Sequence, residues 1–254
     1  VIMSAHTSLC SWPISEYGTE KQKEKYLTPL AKGEKIGAFG WTEAEAGTKT
    51  TAVRDVDSYI INGKKVLITN SHEASILVVF AKTDFDNNKL SAFIVEKGTK
   101  GFSVGEAEEK MGVRGSSTSE LIFENCVVPK ENLLGEEGKG FEIAMATLNG
   151  GRIGVAAQAV GIAQGALDAA VKYVKERVQN GKRISQFQNT QFVIVELQTK
   201  IDAARLMTYR AANLKDLKEN YGYMASMAKL FASETAMEVT TKAVQLHGGY
   251  GYTR

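Results

Sequence analysis

Apolar positions along the chain change period twice, and the changes divide it into three parts. From Val1 to about Lys32 they recur at helical spacing, with Pro13 and Gly18 as breaks and Gly33 as the stop. From Ile36 to about Val128 β-branched and aromatic residues gather in short runs: Ser58–Ile61, Val66–Thr69, Ile76–Phe80, Ala92–Val95 and Leu121–Phe123. Asn62-Gly63 falls between two of these runs and predicts a type I′ hairpin turn there. Strands at this spacing predict a small antiparallel barrel or sandwich. From about Gly140 onward proline is absent and apolar residues return every three or four positions. Three long helices are predicted, over roughly 139 to 179, 187 to 217 and 221 to 246, with breaks at Asn180-Gly181 and Asn220-Tyr221-Gly222. Antiparallel packing into a bundle follows, with much of the second and third helices buried, in part against another subunit.

Composition narrows the class without naming a reaction. A 254-residue chain that is 43% hydrophobic and 24% charged has material for one large or two modest cores, with no sign of disorder or of a membrane span. The net charge of +2 and the lack of any basic run argue against nucleic acid as a partner. Cys10 and Cys126 lie at metal-ligand spacing neither from each other nor from His6, His72 and His247, which points to a reducing compartment and no zinc site. There is no signal peptide; the chain opens inside what reads as a helix and stops in a glycine-rich turn, so both ends read as cut.

Taken residue by residue, the candidate chemistry is sparse. Thr42 and Thr69 each end a strand-like run, where a hydroxyl either bonds its own backbone or faces a ligand. Gly150-Gly151-Arg152 and Gly248-Gly249-Tyr250-Gly251 lack Rossmann or Walker spacing and read as helix caps and turns. The three histidines have no visible triad or metal partner.

A set of collinear motifs carries more. Val1–Leu9, Leu27-Thr28-Pro29-Leu30-Ala31, Thr42-Glu43 with Ala46-Gly47-Thr48, Ile61–Lys65 with Ile68-Thr69-Asn70, Lys110–Thr118, Val128–Gly135, Gly151–Gly154 and Ala243–Gly249 together resemble the acyl-CoA dehydrogenase family, most closely its bacterial short-chain, butyryl-CoA members. The resemblance implies an α+β multidomain fold: the end of an N-terminal helical domain over 1–34, a central antiparallel β barrel over 35–130, and an incomplete C-terminal helical bundle over 131–254. It also implies FAD as cofactor, a homotetramer with FAD shared across a dimer interface, an acyl-CoA substrate, electron-transfer flavoprotein as the acceptor and no membrane partner. The location implied is the bacterial cytoplasm, or the mitochondrial matrix in a eukaryote. The reaction implied is removal of an α-proton and a β-hydride to give a trans-2-enoyl-CoA. An acyl-CoA oxidase, a nitroalkane-oxidising relative and a non-catalytic acyl-CoA- or flavin-binding homologue are alternatives on the same scaffold.

By matching position, Phe39, Trp41, Thr42 and Leu67 lie along the flavin ring and Thr69 donates near flavin N5. Arg177, Gln188, Gln245, Gly248 and Gly249 match positions that hold the FAD pyrophosphate and adenosine across the dimer interface. Thr48 is expected at both the cofactor and the substrate, and Arg152 beside the acyl site. The family's catalytic glutamate matches no residue up to Arg254, and its alternative position is Gly151. Thr48 runs directly into Lys49-Thr50-Thr51-Ala52, where the family pattern has a longer loop. Trp41, Ala44, Leu67 and Asn180 also depart from the side chains common at their positions.

Overall fold

The computed structural model describes residues 1–253. They form two compact units, Val1–Gly151 and Arg152–Arg254, with the boundary inside one long helix.

In the first unit a helical segment precedes the sheet. Ile2–Ser4, Ala5–Ser11 and Trp12–Tyr17 wind as consecutive α, π and α turns, so Pro13 does not break the helix as its periodicity suggested. The wide π turns immediately before it absorb the missing proline N–H. Gly18 does end the segment, and Thr19 opens the next one with a capping box, its hydroxyl accepting from Gln22 N at 3.2 Å while Gln22 Oε1 accepts from Thr19 N at 2.9 Å. Gln22 is buried because its amide goes on to donate to the carbonyls of Glu131 and Leu133, at 2.7 and 2.8 Å.

Eight strands follow: β1 (Ile36–Gly40), β2 (Thr51–Asp55), β3 (Ser58–Thr69), β4 (Ala74–Asp84), β5 (Lys89–Glu96), β6 (Phe102–Ala107), β7 (Thr118–Pro129) and β8 (Leu133–Leu134). They hydrogen-bond in the order β6-β7-β3-β2-β4-β5-β8, with β1 also on β4. The sheet is mixed rather than antiparallel throughout, since β1 and β2 both run parallel to β4. That follows from connectivity: β1 and β4 are joined by a crossover through β2 and β3, not by a hairpin.

Strand β4 is covered on both sides, and period-2 alternation sorts its side chains. Leu77, Val79 and Ala81 enter one core with Phe93, Leu121 and Phe123, while Ile76, Val78 and Phe80 enter another with Ile14, Tyr26, Leu30, Ile143 and Ala144. The N-terminal helical segment and the start of the first long helix therefore cover one face of the sheet.

The hairpin expected at Asn62-Gly63 is not there. Both residues lie inside β3, at a register shift against β7, and the true two-residue turn joining β2 to β3 is Val56-Asp57, with Val56 at φ +40°. Gly63 serves close approach instead: with φ +141°, a Cβ there would sit 2.7 Å from Thr50 Cα.

The second unit is helical. Its long helices are α1 (Gly140–Glu176, beginning in the first unit), α2 (Gln188–Asp216) and α3 (Gly222–His247), within a few residues of the predicted spans. By length and apolarity α1 alone among the described residues could cross a bilayer, but Ala156, Val160, Ala163 and Leu167 form one buried stripe of it. Ala225, Ala228, Ala232 and Ala236 on α3 meet Leu197, Ile201 and Ala204 on α2 within the same core, and their small size permits close helix contact. Between α1 and α2, Val178–Gln179 and Lys182–Arg183 pair as a short ribbon closed by Asn180-Gly181, at φ +50° and +75°. Here the Asn-Gly pair adopts the positive φ values of a type I′ turn.

Two glycines separate backbone strain from steric collision. Gly101 has φ +85° and its Cβ position lies 2.4 Å from the Glu124 carbonyl oxygen, whereas Gly33 has φ +73° and open space around it. Alanine at Gly33 is expected to cost about 1 kcal/mol and at Gly101 about 3 kcal/mol or more, read from urea unfolding midpoints of the two variants. Equal midpoints would remove the collision with β7 from the account.

Candidate active site

The first unit has two places that gather predicted residues. One is a cleft of about 590 Å³ lined by Trp41, Thr48, Lys82, Asn88, Lys89 and Phe141, among others. Trp41 follows directly on β1 and stands edge-on to Phe80, ring centres 5.2 Å apart, with Phe141 6.4 Å away on its other side. Phe39, two residues earlier, is buried against Phe80 at 5.1 Å, so it backs the cleft rather than lining it.

The other place is the end of β3. A register shift between Lys65 and Ile68 puts Leu67 at φ +56° and turns its side chain outward, 60% exposed, while Ile68 stays in the core. Thr42 joins this edge by accepting from Val66 N at 2.9 Å through its carbonyl. Thr69 pairs with Thr118 on β7. Thr42 is exposed and Thr69 half-buried, so a ligand can reach either strand end. Also among the described residues, the buried side-chain polar atoms without a partner are Asn70 Oδ1, Ser71 Oγ, Ser116 Oγ and Ser119 Oγ. All four lie within two residues of the Thr69–Thr118 pair, and Ser116, Thr118, Lys110 and Arg114 border a cavity of about 450 Å³. Buried polar atoms are normally satisfied, so such a cluster marks a place where a polar ligand or water completes the bonding. These four atoms are closed off from solvent, whereas Thr69 beside them is only half-buried, and a hydroxyl at that strand end fits the polar edge of a flavin ring.

The cleft wall is held by a pair that the sequence motifs alone had not singled out. Lys65 is fully buried on β3, and its ammonium lies 2.6 Å from Glu43 Oε1 and 3.4 Å from the Trp41 carbonyl. The Glu43 carboxylate also accepts from Lys49 N at 2.7 Å and Thr50 N at 3.3 Å. Burial pushes the Glu43 carboxyl up, but the Lys65 ammonium and the Lys49 amide more than offset it and hold it below the ordinary value. Burial also pulls the Lys65 ammonium down, only partly countered by Glu43. A signal was available: Lys65 shares the inward register of Ile61 on β3, and a charge at an inward position requires a partner.

In the second unit a cleft of about 610 Å³ brings together Arg177, Gln245, Gly248 and Gly249, with Tyr173, His247 and Tyr250 around them. The Arg177 guanidinium lies over the Tyr250 ring at 5.8 Å, and no carboxylate pairs with it among the described residues. Gly248 has φ +60° where α3 ends, and its N–H donates to the Gln245 carbonyl as the chain turns into Gly249. A cation, an amide and two bare glycines are the groups a phosphate needs. Gln188 starts α2 and is not on this cleft, although its neighbour Asn189 is. His247 stacks on Tyr173 at 4.7 Å with Nδ1 against the Ala243 carbonyl, which can only accept, so Nδ1 carries the proton. Arg152 sits on α1 just past the unit boundary. Gly151 is buried, and a Cβ there would lie 2.8 Å from Leu9 Cδ2.

His6 accepts from Gly37 N at 3.0 Å, a structural role, and no cluster of metal-ligating residues occurs among the described residues. Both cysteines are free and buried, with burial pushing the Cys10 thiol up to about 12 and the Cys126 thiol to about 11, so neither is a ready nucleophile.

Comparison with known proteins places the chain among relatives along its whole length. Family models described as the N-terminal, middle and C-terminal domains of acyl-CoA dehydrogenase match residues 1–34, 38–126 and 138–254. A short-chain specific acyl-CoA dehydrogenase of Clostridium acetobutylicum is 55% identical over an alignment of 261 positions, covering 100% of this chain and 69% of that protein. The structure of butyryl-CoA dehydrogenase from Megasphaera elsdenii superposes with a TM-score of 0.96 at 51% identity, covering 99% of this chain and 68% of that one. A chain in a structure described as electron transferring flavoprotein of Acidaminococcus fermentans, in work on flavin-based electron bifurcation, also has a TM-score of 0.96, at 59% identity and the same coverage.

Because the folded-state pKa of Glu43 lies below its unfolded value of 4.5, its ionised form adds stability above that value, lost as pH falls through the folded pKa. Glu43→Gln leaves the Lys65 ammonium buried and unpaired, and should cost about 3–5 kcal/mol at neutral pH. The gap to wild type should narrow below the ordinary carboxylate range, as denaturant unfolding across a pH series would reveal. A gap constant down to strongly acid pH would contradict the assignment.

Proposed function

Because the chain belongs to the acyl-CoA dehydrogenase family, we propose that the protein oxidises a short-chain, butyryl-type acyl-CoA to the trans-2-enoyl-CoA with FAD as cofactor. The observation that carries this reading is the place of Thr69 at the end of β3, opposite Thr118 and beside the buried polar cluster of Asn70, Ser71, Ser116 and Ser119. FAD, when bound, supplies the two-electron acceptor for the β-hydrogen of the substrate.

The chain's residues supply binding and orientation. Thr69, at the end of β3, and Thr42, on the adjoining segment, would hold the polar edge of the flavin ring, where a hydroxyl donor would favour the negative charge of its reduced form. Trp41 walls the ring, Phe39 supports that wall from behind, and Leu67 lies at the exposed edge. Thr48, in the same cleft as Trp41, is the candidate for the thioester and its pantetheine, and Arg152 on α1 is kept as a substrate residue by its matching position alone. Arg177, Gln245, Gly248 and Gly249 hold the pyrophosphate and adenosine of a flavin shared with a partner subunit, with Gln188 at the start of α2 nearby in sequence to the cleft residue Asn189.

Gly151 offers no carboxylate, and a side chain at that position would meet Leu9, so abstraction of the α-proton belongs to a carboxylate elsewhere in the protein. Exposed Phe192, Leu206, Leu230 and Met237 on α2 and α3 support burial against further subunits of a homotetramer. The likeness to a chain from a structure described by an electron transferring flavoprotein supports such a protein as the electron acceptor.

The purified full-length protein is expected to be yellow and to lose its flavin colour anaerobically with butyryl-CoA. Thr69→Val should slow that bleaching by roughly 10²-fold or more while the flavin stays bound. A flavin-loaded protein that no acyl-CoA bleaches would refute the activity; rapid reoxidation by air would redirect it to oxidase chemistry.

A further inference from the structure

The segment from Trp41 to Thr50 carries three of the proposed ligand contacts, Trp41, Thr42 and Thr48, yet it has no regular secondary structure of its own. What fixes its course is a set of bonds to and around one buried ion pair. The Lys65 ammonium reaches the Trp41 carbonyl and the Glu43 carboxylate, and that carboxylate closes the loop on itself by accepting the amides of Lys49 and Thr50. Thr42 accepts from Val66 N, and the Thr50 hydroxyl donates to the Lys64 carbonyl. Every attachment to β3 falls on Lys64, Lys65 or Val66. The stem of Lys65 runs beneath Gly40, whose Cβ position lies 3.6 Å from Lys65 Cγ, so the ammonium is delivered to the loop from inside the sheet.

We propose that Glu43 and Lys65 are a positioning pair for the ligand-binding wall: they touch neither flavin nor thioester but hold Trp41 and Thr48 in the places those ligands require. The inference rests on the dehydrogenase reading for the identity of the ligands, and on the geometry alone for the holding of the loop. Charge suits the task. A buried ammonium accepts no neutral substitute for its carboxylate without penalty, so one loop conformation is selected over others of similar packing. Two side chains at 0% and 6% exposure leave little room for a direct role in binding.

Single substitutions strand one charge and can simply unfold the protein, so the informative variant is Glu43→Gln combined with Lys65→Met. The introduced glutamine keeps an oxygen for the Lys49 and Thr50 amides, and the introduced methionine keeps the buried volume, while the two Lys65 bonds to the loop, to Glu43 and to the Trp41 carbonyl, are lost and the bonds at its ends, Val66 to Thr42 and Thr50 to Lys64, remain. In the full-length flavin-loaded protein, hydrogen exchange should quicken across residues 41–50 and stay slow in β4 and β5. The FAD dissociation constant and the KM for butyryl-CoA should rise by about tenfold or more with kcat held within about twofold, the pattern of lost uniform binding.

Unchanged exchange over 41–50 overturns the proposal. Faster exchange with wild-type FAD affinity and KM also overturns it, by reducing the pair to a purely structural role. A full-length wild-type protein that binds neither FAD nor butyryl-CoA refutes the dehydrogenase reading and with it the ligand half of this one, while exchange over 41–50 still decides whether the pair holds the loop.

Discussion

Because β4 is buried on both faces, it dictates how the rest of the first unit must be arranged. A strand with no solvent side needs an apolar layer above and below, and here one layer is the inside of the sheet and the other is helical. The helical layer is why Gly37 is glycine: its Cβ position lies 2.5 Å from Cys10 Sγ, so any side chain on β1 at that point would push the N-terminal segment off the sheet. The same requirement brings β1 alongside β4 in parallel, since only there can it extend the covered face. Once β1 is fixed, the chain leaving its end at Trp41 has to pass over β3, and the site's wall follows from the core.

That wall shows how a charged group can serve a site it never enters. Burying Lys65 costs solvation that only a close carboxylate and a carbonyl can offset, and both come from the loop that has to be placed. The energetic penalty thus becomes a geometric instruction, because the loop must come back to β3 to neutralise it. A leucine at the same position would pack well and say nothing about where the loop should go.

The sequence was informative where one period dominated a long stretch. The three long helices stand within a few residues of their predicted limits because their alanine-rich apolar faces repeat without interruption for many turns. It was least informative where local chemistry had two uses. Pro13 looked like a break because an α-helix needs its N–H, and the π turns that dispense with it leave no mark in composition. Parallel pairing of β1 with β4 was equally hidden, because it depends on partners far apart in the chain. Among the proposed site residues, Thr42 and Thr69 stand out by their strand-end positions as well as by a family likeness and Trp41 and Thr48 by the likeness alone, whereas alternation marks the inward charge of Lys65 without naming Glu43 as its partner.

The two turns closed by two residues make the same point about meaning and context. Asn-Gly at 62–63 is the stronger hairpin signal, yet the chain turns instead at Val56-Asp57, where Val56 takes a positive φ that suits it poorly. The position of the turn is set by the register of Ala52 and Ile61, both of which must face the core, and a turn at 62–63 would bring different residues opposite each other. Burial of a strand face outweighs the strain of one exposed valine. At 180–181 no such core opposes the local preference, the flanking pairs Val178–Gln179 and Lys182–Arg183 are exposed, and Asn-Gly closes the ribbon it favours. Asn180 therefore contributes backbone geometry: it closes the short connection that runs from Arg177, just past the end of one helix, to the start of the next.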